Sequence, residues 1–410
     1  MAEYDQGAFN ATGIFYSTYN PDTLNSDSFP DSILRLWPNG TAPLYAMTSQ
    51  CKRTRAINHA HGYHTKAMAF TQLTVSGALI AGDTALTVAS TAGVVPGMVF
   101  QVPATAENVL VTAVVSATEL TIYRSYGRIA AGDIADAAVL FCVGNNHTES
   151  SLRPVERSVK AVYVPNFTSI VRNAWAVSDT ARASLTETGD YSNVSENRQD
   201  CMQFHATDLE SALFWSQPQA PAQISGTKLE HSTQGIIDAV AQYASDNVST
   251  ADATTTWAQL QSYLEVAFTS VSSLGSANER VMFTDSIGHK VITGLGELYG
   301  NTWKGMESTS FGMQFTALRF YKGTVYVKEH PLFNALGIPT GLAVVVDLPT
   351  MAMAYLDGRD VKREEYDGSS DSTGSGIDAV GGSLTTEFAT EFKDPNACAV
   401  INGLTAAASA

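Results

Sequence analysis

Between Val164 and Trp215 two opposite sequence patterns meet with no catalytic residue between them, and this junction restricts the fold most. Residues Phe167 to Ser178 are β-branched and aromatic, which predicts an extended strand. A polar loop with Gly189 and Asp190 follows. Glu196 to Trp215 then carries Met202, Ala206, Leu209 and Leu213 at spacings of four, three and four, one face of an amphipathic helix. Pro218 stops it. A helix of about 20 residues spans about 30 Å, long for a compact domain and suited to an extended structural backbone.

A chain of 410 residues buries a large core and is expected to form two or more structural units. Its 40 acidic and 24 basic residues leave a formal charge of −16, which argues against tight nucleic-acid binding. The densest basic run, Lys52-Arg53-Thr54-Arg55, is short and reads as a solvated surface run. Cys51, Cys142, Cys201 and Cys398 lack CxxC spacing and fit buried thiols in a reducing compartment. The acidic start Met1-Ala2-Glu3-Tyr4-Asp5 has no apolar region behind it, so no secretory signal is expected, and no apolar run predicts a membrane span. The Asn-x-Ser/Thr triplets are then composition only, and a cytosolic location is expected.

Residues 1 to about 60 are polar and turn-rich without a sustained period, and read as an extended arm lying on another copy of the chain. No long charged helical region precedes this arm, so no cleaved scaffolding segment is expected. From Thr74 to Gly144 short strands recur at Thr84–Val88, Met98–Val102, Val109–Val115, Leu120–Tyr123 and Ala138–Val143, with turn signals between them. That spacing predicts a small barrel or sandwich inserted into the chain. Beyond the junction, helical patterns start at Gly235, run through Trp257, Leu260, Leu264 and Phe268, and span Asp285 to Leu298. Strands are expected at Arg280–Thr284, Tyr321–Lys328, Leu342–Asp347, Met351–Leu356, Leu384–Phe392 and Ala397–Leu404, so the second half is α+β.

His59, His61 and His64 form the one histidine cluster, but no Cys or carboxylate lies near in sequence to complete a metal site. Gly294-Leu295-Gly296-Glu297-Leu298-Tyr299-Gly300 trails a helix instead of following a strand, and reads as a helix C-cap, not a phosphate loop. Thr284-Asp285-Ser286-Ile287-Gly288 lacks the first glycine of a nucleophile elbow, so Asp285 reads as an N-cap. The carboxylates of the Asp367 to Asp378 loop lack EF-hand spacing, and Glu364 and Glu365 face opposite ways on a strand. No catalytic, cofactor-binding or metal-ligating residue is assigned, no cofactor is expected, and the chain is not expected to be an enzyme.

Three stretches carry a resemblance. They are Asp83 to Val88 with Val95 to Val102, Val111 to Val114 and Leu120 to Gly127; Val164 to Arg172 with Val177 to Ala181; and Val344 to Asp347 with Tyr355 to Asp360 and Ala399 to Leu404. In this order they resemble the major capsid proteins of tailed bacteriophages, in a subfamily with a β-module inserted near the extended loop. The resemblance implies an α+β fold with an N-terminal arm at 1–62 and an extended loop at 63–160 carrying an all-β module at about 76–143. It further implies a peripheral domain at 161–232 with a spine helix at 196–215, an axial domain at 233–345, and strands of 346–410 returning to the peripheral domain. The implied role is structural: pentamers and hexamers of this chain close into an icosahedral shell around packaged double-stranded DNA. Portal, scaffolding and decoration proteins are the implied partners, with no membrane, and assembly takes place in the bacterial cytoplasm. A tail or fibre component, or a carbohydrate-binding adhesin, is the alternative that the β-module suggests. Fibres tend to be repetitive in β-structure, however, and no internal repeat is seen here.

Overall fold

The computed structural model describes residues 42–66, 71–183, 193–224, 226–270, 278–298, 308–310, 313–335, 337–367 and 378–405. The chain forms two compact units, one of residues 1–63 with 165–410 and one of residues 64–164.

The smaller unit is all-β. Its main sheet runs in the order Gln72–Thr74, Val139–Asn145, Met98–Gln101, Asn108–Val114, Glu119–Tyr123, Ala85–Thr87. A bridge between Val75 and Val88, with Ser76 N–H on Thr87 O and Ala89 N–H on Thr74 O at 2.9 Å each, joins the outer strands. The sheet therefore closes into a barrel, which removes its free edges. Alternate residues point inward: Leu73, Leu86, Phe100, Val109, Val111, Leu120, Ile122 and Leu140 fill the core.

One ion pair is buried in the barrel. Arg124 Nε and Nη2 each donate to the Glu107 carboxylate at 2.8 Å, and Nη1 donates to Ile80 O at 3.0 Å. The remaining acceptor capacity of Glu107 takes the N–H groups of Ser125 and Gly132. Burial works to raise the Glu107 pKa, but the hydrogen bonds from Arg124, Ser125 and Gly132 outweigh it and hold the carboxyl below its ordinary value.

Among its described residues the larger unit contains two large sheets and a two-stranded ribbon, Gln219–Ala222 with Glu230–Ser232. The first has the order Lys52–Ala56, Met351–Leu356, Ala379–Phe392, Ser169–Ser178, with Lys362–Asp367 also paired to Ala379–Phe392. Ala379–Phe392 is central: Met351–Leu356 covers one edge along residues 388–392 and Lys362–Asp367 covers it along 380–385. Ser169–Ser178 covers the other edge along 379–388. Ser169–Ser178 and Lys52–Ala56 are the end strands of this order, and on Lys52–Ala56 the side chains Lys52, Arg53 and Arg55 are exposed. Charges there discourage pairing with a stray strand, and Arg53 and Arg55 reach Asp360 and Asp357.

The second sheet runs Val248–Thr250, Ala399–Asn402, Ala343–Val346, Glu279–Thr284, Thr324–Glu329, Met313–Arg319, Ser308–Ser310. Both of its faces are buried, which explains the unbroken apolar run Ala343-Val344-Val345-Val346. Phe283, Val344, Val346 and Val400 face a core shared with Leu209, Leu213 and Phe214 of the long helix. Met282, Ala343, Val345, Ala399 and Ile401 face a second core with Leu260, Leu264, Ile292 and Leu295. Helix Trp257–Glu265 starts on a capping box between Thr256 and Gln259. Among the described residues no helix is long and apolar enough to cross a membrane.

Two expectations change here. The long helix runs Asn193–Trp215, and Leu209 and Leu213 are buried as its pattern predicts, but Met202 is 49% exposed. Cys201 and His205 face inward in its place, because polar side chains occupy buried positions that hydrophobic spacing does not register. Residues of the turn-rich start also pack within this chain: helix Pro43–Met47 buries Leu44 and Met47, and Lys52–Ala56 joins the sheet. Residues 1–41 lie outside the described residues.

Replacing Glu107 with Ala leaves Arg124 buried without its counter-charge, a change expected to cost roughly 3–5 kcal/mol. Hydrogen exchange on the full chain is expected to show lost protection across the barrel strands with the Asn193–Trp215 helix still protected. Unchanged protection in the barrel would contradict the role given to this pair.

Candidate functional site

Several fully buried polar groups of the larger unit gather around the long helix and the central strand. Glu210, fully buried on the helix, accepts the N–H of Leu44 at 2.8 Å and of Tyr45 at 2.6 Å. These amides belong to the first turn of helix Pro43–Met47, whose own N-cap residue, Ala42, offers no side-chain bond. A carboxylate at a helix N-terminus satisfies orphan donors and complements the dipole. Glu210 also accepts from His330 Nε2 at 2.7 Å. The Leu332 N–H donates to His330 Nδ1 at 3.1 Å, which places the ring proton on Nε2. Phe214 packs edge-on to Phe283, His330 and Phe333, so the cluster is enclosed by aromatic rings.

One turn earlier, His205 ties the helix to the first sheet. Its Nδ1 lies 2.7 Å from Asn173 Oδ1 and its Nε2 lies 2.7 Å from Thr386 Oγ1. The Asn173 amide donates onward to Asp208 at 2.7 Å. This fixes the amide oxygen toward His205, so Nδ1 donates and Nε2 accepts from the Thr386 hydroxyl. Burial lowers the His205 pKa, with Asp208 opposing it.

On the opposite face of the central strand two carboxylates are buried four residues apart. Glu391 meets His61 Nε2 at 2.8 Å, Thr54 Oγ1 at 2.9 Å and Lys393 Nζ at 3.0 Å. Burial acts to raise its pKa, yet the bonds from His61, Lys393 and Thr54 prevail and bring it to about 2. Glu387 accepts from Thr168 Oγ1 at 2.9 Å and pairs with Arg359 at 2.9 Å. These contacts hold the segment from His59 to His61 against Asn166 to Thr168, which exchange backbone bonds at 2.8–2.9 Å.

The candidates from sequence fall into this framework as structural groups. His61 is a partner of Glu391, His59 lies beside His231 with ring centroids 6.0 Å apart, and His64 lies tilted against Tyr163 in the smaller unit at 5.1 Å. Asp285 caps helix Ser286–Leu298 through Gly288 N–H at 2.7 Å, and its second oxygen accepts Gly341 N–H at 2.7 Å. A side chain at position 288 would collide with Thr284 Oγ1, which accounts for the glycine. Gly294 and Gly296 lie inside that helix, so the C-cap reading is corrected for them; Gly300 lies outside the described residues. Glu364 pairs with Lys362 and Glu365 with Arg198. Of the Asp367 to Asp378 loop, residues 368–377 lie outside the described residues.

Sequence reasoning missed Glu210, Glu107 and Glu391. An isolated Glu in an apolar stretch (Asp208-Leu209-Glu210-Ser211-Ala212-Leu213) was the available signal for the first. Among the described residues no group of three or more His, Cys, Asp and Glu side chains is arranged to hold a metal. Each cluster joins elements that are distant in sequence.

The model of a family described as SU10 major capsid protein matches residues 15–405. The chain is 46% identical over 403 residues to the major capsid protein of Pseudomonas phage PaMx41, covering 96% of each. Among solved structures, a chain of Mycobacterium phage Bobi is similar at 11% identity and a TM-score of 0.48, covering 93% of this chain and 96% of that one. A chain of Gordonia phage Cozz is similar at 12% identity and a TM-score of 0.47, covering 93% and 91%.

The pKa directions give an acid response. His205 has a lowered folded pKa, so its stabilisation is complete above the ordinary histidine value of 6.5 and is lost as pH falls below that. Glu391 is lowered from 4.5 to about 2, so its contribution is complete above 4.5 and is lost as pH falls toward 2. Thermal unfolding of the chain from pH 8 to pH 3 is expected to show a midpoint that falls in these two windows. Glu391→Gln is expected to reduce the slope of the lower window; an unchanged slope would contradict the assignment.

Proposed function

The chain belongs to the SU10 major capsid protein family, and on that premise we propose how this phage coat subunit builds its shell. As a major capsid protein it is a structural component of the virion capsid, and capsid proteins of this kind self-associate. Its α+β fold with an inserted all-β barrel is that of a phage major capsid protein. In our reading its copies form pentamers and hexamers that close into an icosahedral shell around packaged double-stranded DNA, in the cytoplasm of the host bacterium. Many modest contacts repeated over a shell give stability that no single interface has to supply. The charge of −16 suits a container that encloses DNA without gripping it.

The assignment of parts follows the same reading. Residues 1–62 act as the arm, anchored at its C-terminal end by Glu210 holding helix Pro43–Met47. Residues 63–160 act as the extended loop with its barrel, 161–232 as the peripheral domain around the spine helix, 233–345 as the axial domain, and 346–410 as returning strands. Portal, scaffolding and decoration proteins are partners in this reading, without a membrane. The observation that carries it is the long helix pinned to both sheets at Glu210, His205 and Leu213, a rigid strut without a substrate-facing group.

Electron microscopy of the expressed protein, alone or with its assembly partners, is expected to show uniform closed shells. Elongated trimers or monomers under every condition would overturn the reading. Leu209→Asp places a charge in the shared core and is expected to abolish particles; normal particle yield from it would contradict the role of the helix.

A further inference from the structure

The outer face of the barrel carries an uncharged row of aromatic and amide side chains. Leu73, Leu140, Phe100 and Val109 point into the barrel core, so their neighbours Gln72, Phe141, Gln101 and Asn108 point outward. The register sets these four side by side on adjacent strands: Gln72 opposite Phe141, Phe141 opposite Gln101, and Gln101 opposite Asn108. At the usual strand spacing the row is about 14 Å long. Phe141 is 43% exposed. One step along the strands Thr74 pairs with Val139, and both are exposed.

The two amides hold each other in place. Gln101 Nε2 donates to Asn108 Oδ1 at 3.2 Å and to Ala106 O at 3.5 Å. These bonds engage the amide nitrogen of Gln101 and the amide oxygen of Asn108, which fixes the way both groups face. Gln101 Oε1 and Asn108 Nδ2 have no partner among the described residues, so one fixed acceptor stands beside one fixed donor. At the other end of the row Gln72 lines a cavity of about 290 Å³ with Thr71, Gly93, Arg157 and Ser158.

We propose that this face of the barrel binds a neutral polysaccharide, with one sugar ring stacked on Phe141 and its hydroxyls bonded to Gln101 Oε1 and Asn108 Nδ2. A second ring then lies over Gln72 at the mouth of the cavity. A pyranose presents an apolar face of C–H groups and an edge of hydroxyls, each both donor and acceptor. An exposed aromatic ring takes the first, and an acceptor beside a donor takes the second. An apolar peptide segment would leave the amide pair unanswered, and a hydrogen-bonding partner without an apolar face would leave Phe141 exposed. Gln72, Thr74, Val139, Phe141, Gln101 and Asn108 carry no charge, and a chain of net charge −16 repels a polyanionic glycan, which selects a neutral one. One such site binds weakly, and many copies on one particle multiply its hold on a repeating polymer. This binding goes beyond the capsid reading, since it uses outward residues of the barrel and none of the clamps of the larger unit.

The test is native electrophoresis of the full-length protein through gels containing dextran, galactomannan, soluble starch or hydroxyethylcellulose, with polygalacturonate as the acidic counterpart. Slower migration is expected in at least one neutral gel and not in the acidic one. Phe141→Ala is expected to weaken that retention about tenfold, and Asn108→Ala is expected to weaken it as well. Both side chains point away from the core, so hydrogen exchange in the barrel strands and the yield of shells are expected to stay unchanged in the two variants. Free migration in all four neutral gels overturns the proposal, as does retention that both substitutions leave intact. Equal retention in polygalacturonate overturns the choice of a neutral ligand. Loss of shells in Phe141→Ala with the barrel still protected assigns the face to a contact between copies and overturns the proposal too. The capsid reading is tested separately, by the shells of the unsubstituted protein.

Discussion

The carboxylate of Glu210 joins three parts of the chain that are distant in sequence: the turn at Leu44 and Tyr45, the helix Asn193–Trp215, and His330 at the end of a strand of the second sheet. All of its bonds are inside the protein and it has no access to water. Removing the carboxylate would leave two amides and an imidazole N–H without partners in an aromatic enclosure, where each lost bond carries its full desolvation cost. The helix itself is poorly suited to independent existence, since its buried positions include His205 and Glu210 as well as Leu209 and Leu213. It becomes rigid through tertiary bonds to both sheets, and the arm and the second sheet inherit their position from it.

The same logic explains how a barrel can be carried within such a chain. The barrel closes on its own hydrogen bonds, fills its own core, and contains its own buried pair in Glu107 and Arg124. The larger unit is held by Glu210, His205 and Glu391, none of which draws a partner from the barrel strands. The clamps described for each unit thus draw their partners from within that unit.

Much of this fold was legible in the residues, and for identifiable reasons. The apolar run Ala343 to Val346, the alternation Met351-Ala352-Met353-Ala354-Tyr355 and the capping signal before Trp257 each report a local physical requirement, and each lies where the pattern placed it. Five of the six strands of the barrel sheet were found to within a residue or two because turn residues punctuate them, while the three-residue strand Gln72–Thr74 was not. Strand Lys52–Ala56 was not legible, because it is a short, charged edge strand without an apolar period. The clamps were not legible either. Glu210 and Leu44 are 166 residues apart, and nothing in the composition around either announces the other. The shared reason is that buried polar partners are chosen by three-dimensional proximity, whereas periodicity reports only local burial.

The claim at the centre of this account is that identical copies of the chain meet through unlike faces and close into two kinds of ring. Reference-free classification of cryo-electron micrographs of the assembled particle, with no symmetry imposed, tests that directly. The account predicts five-fold and six-fold rings of one subunit, each copy with the Asn193–Trp215 helix intact. Particles showing one other rotational order throughout, or open helical stacks without five-fold vertices, would contradict it.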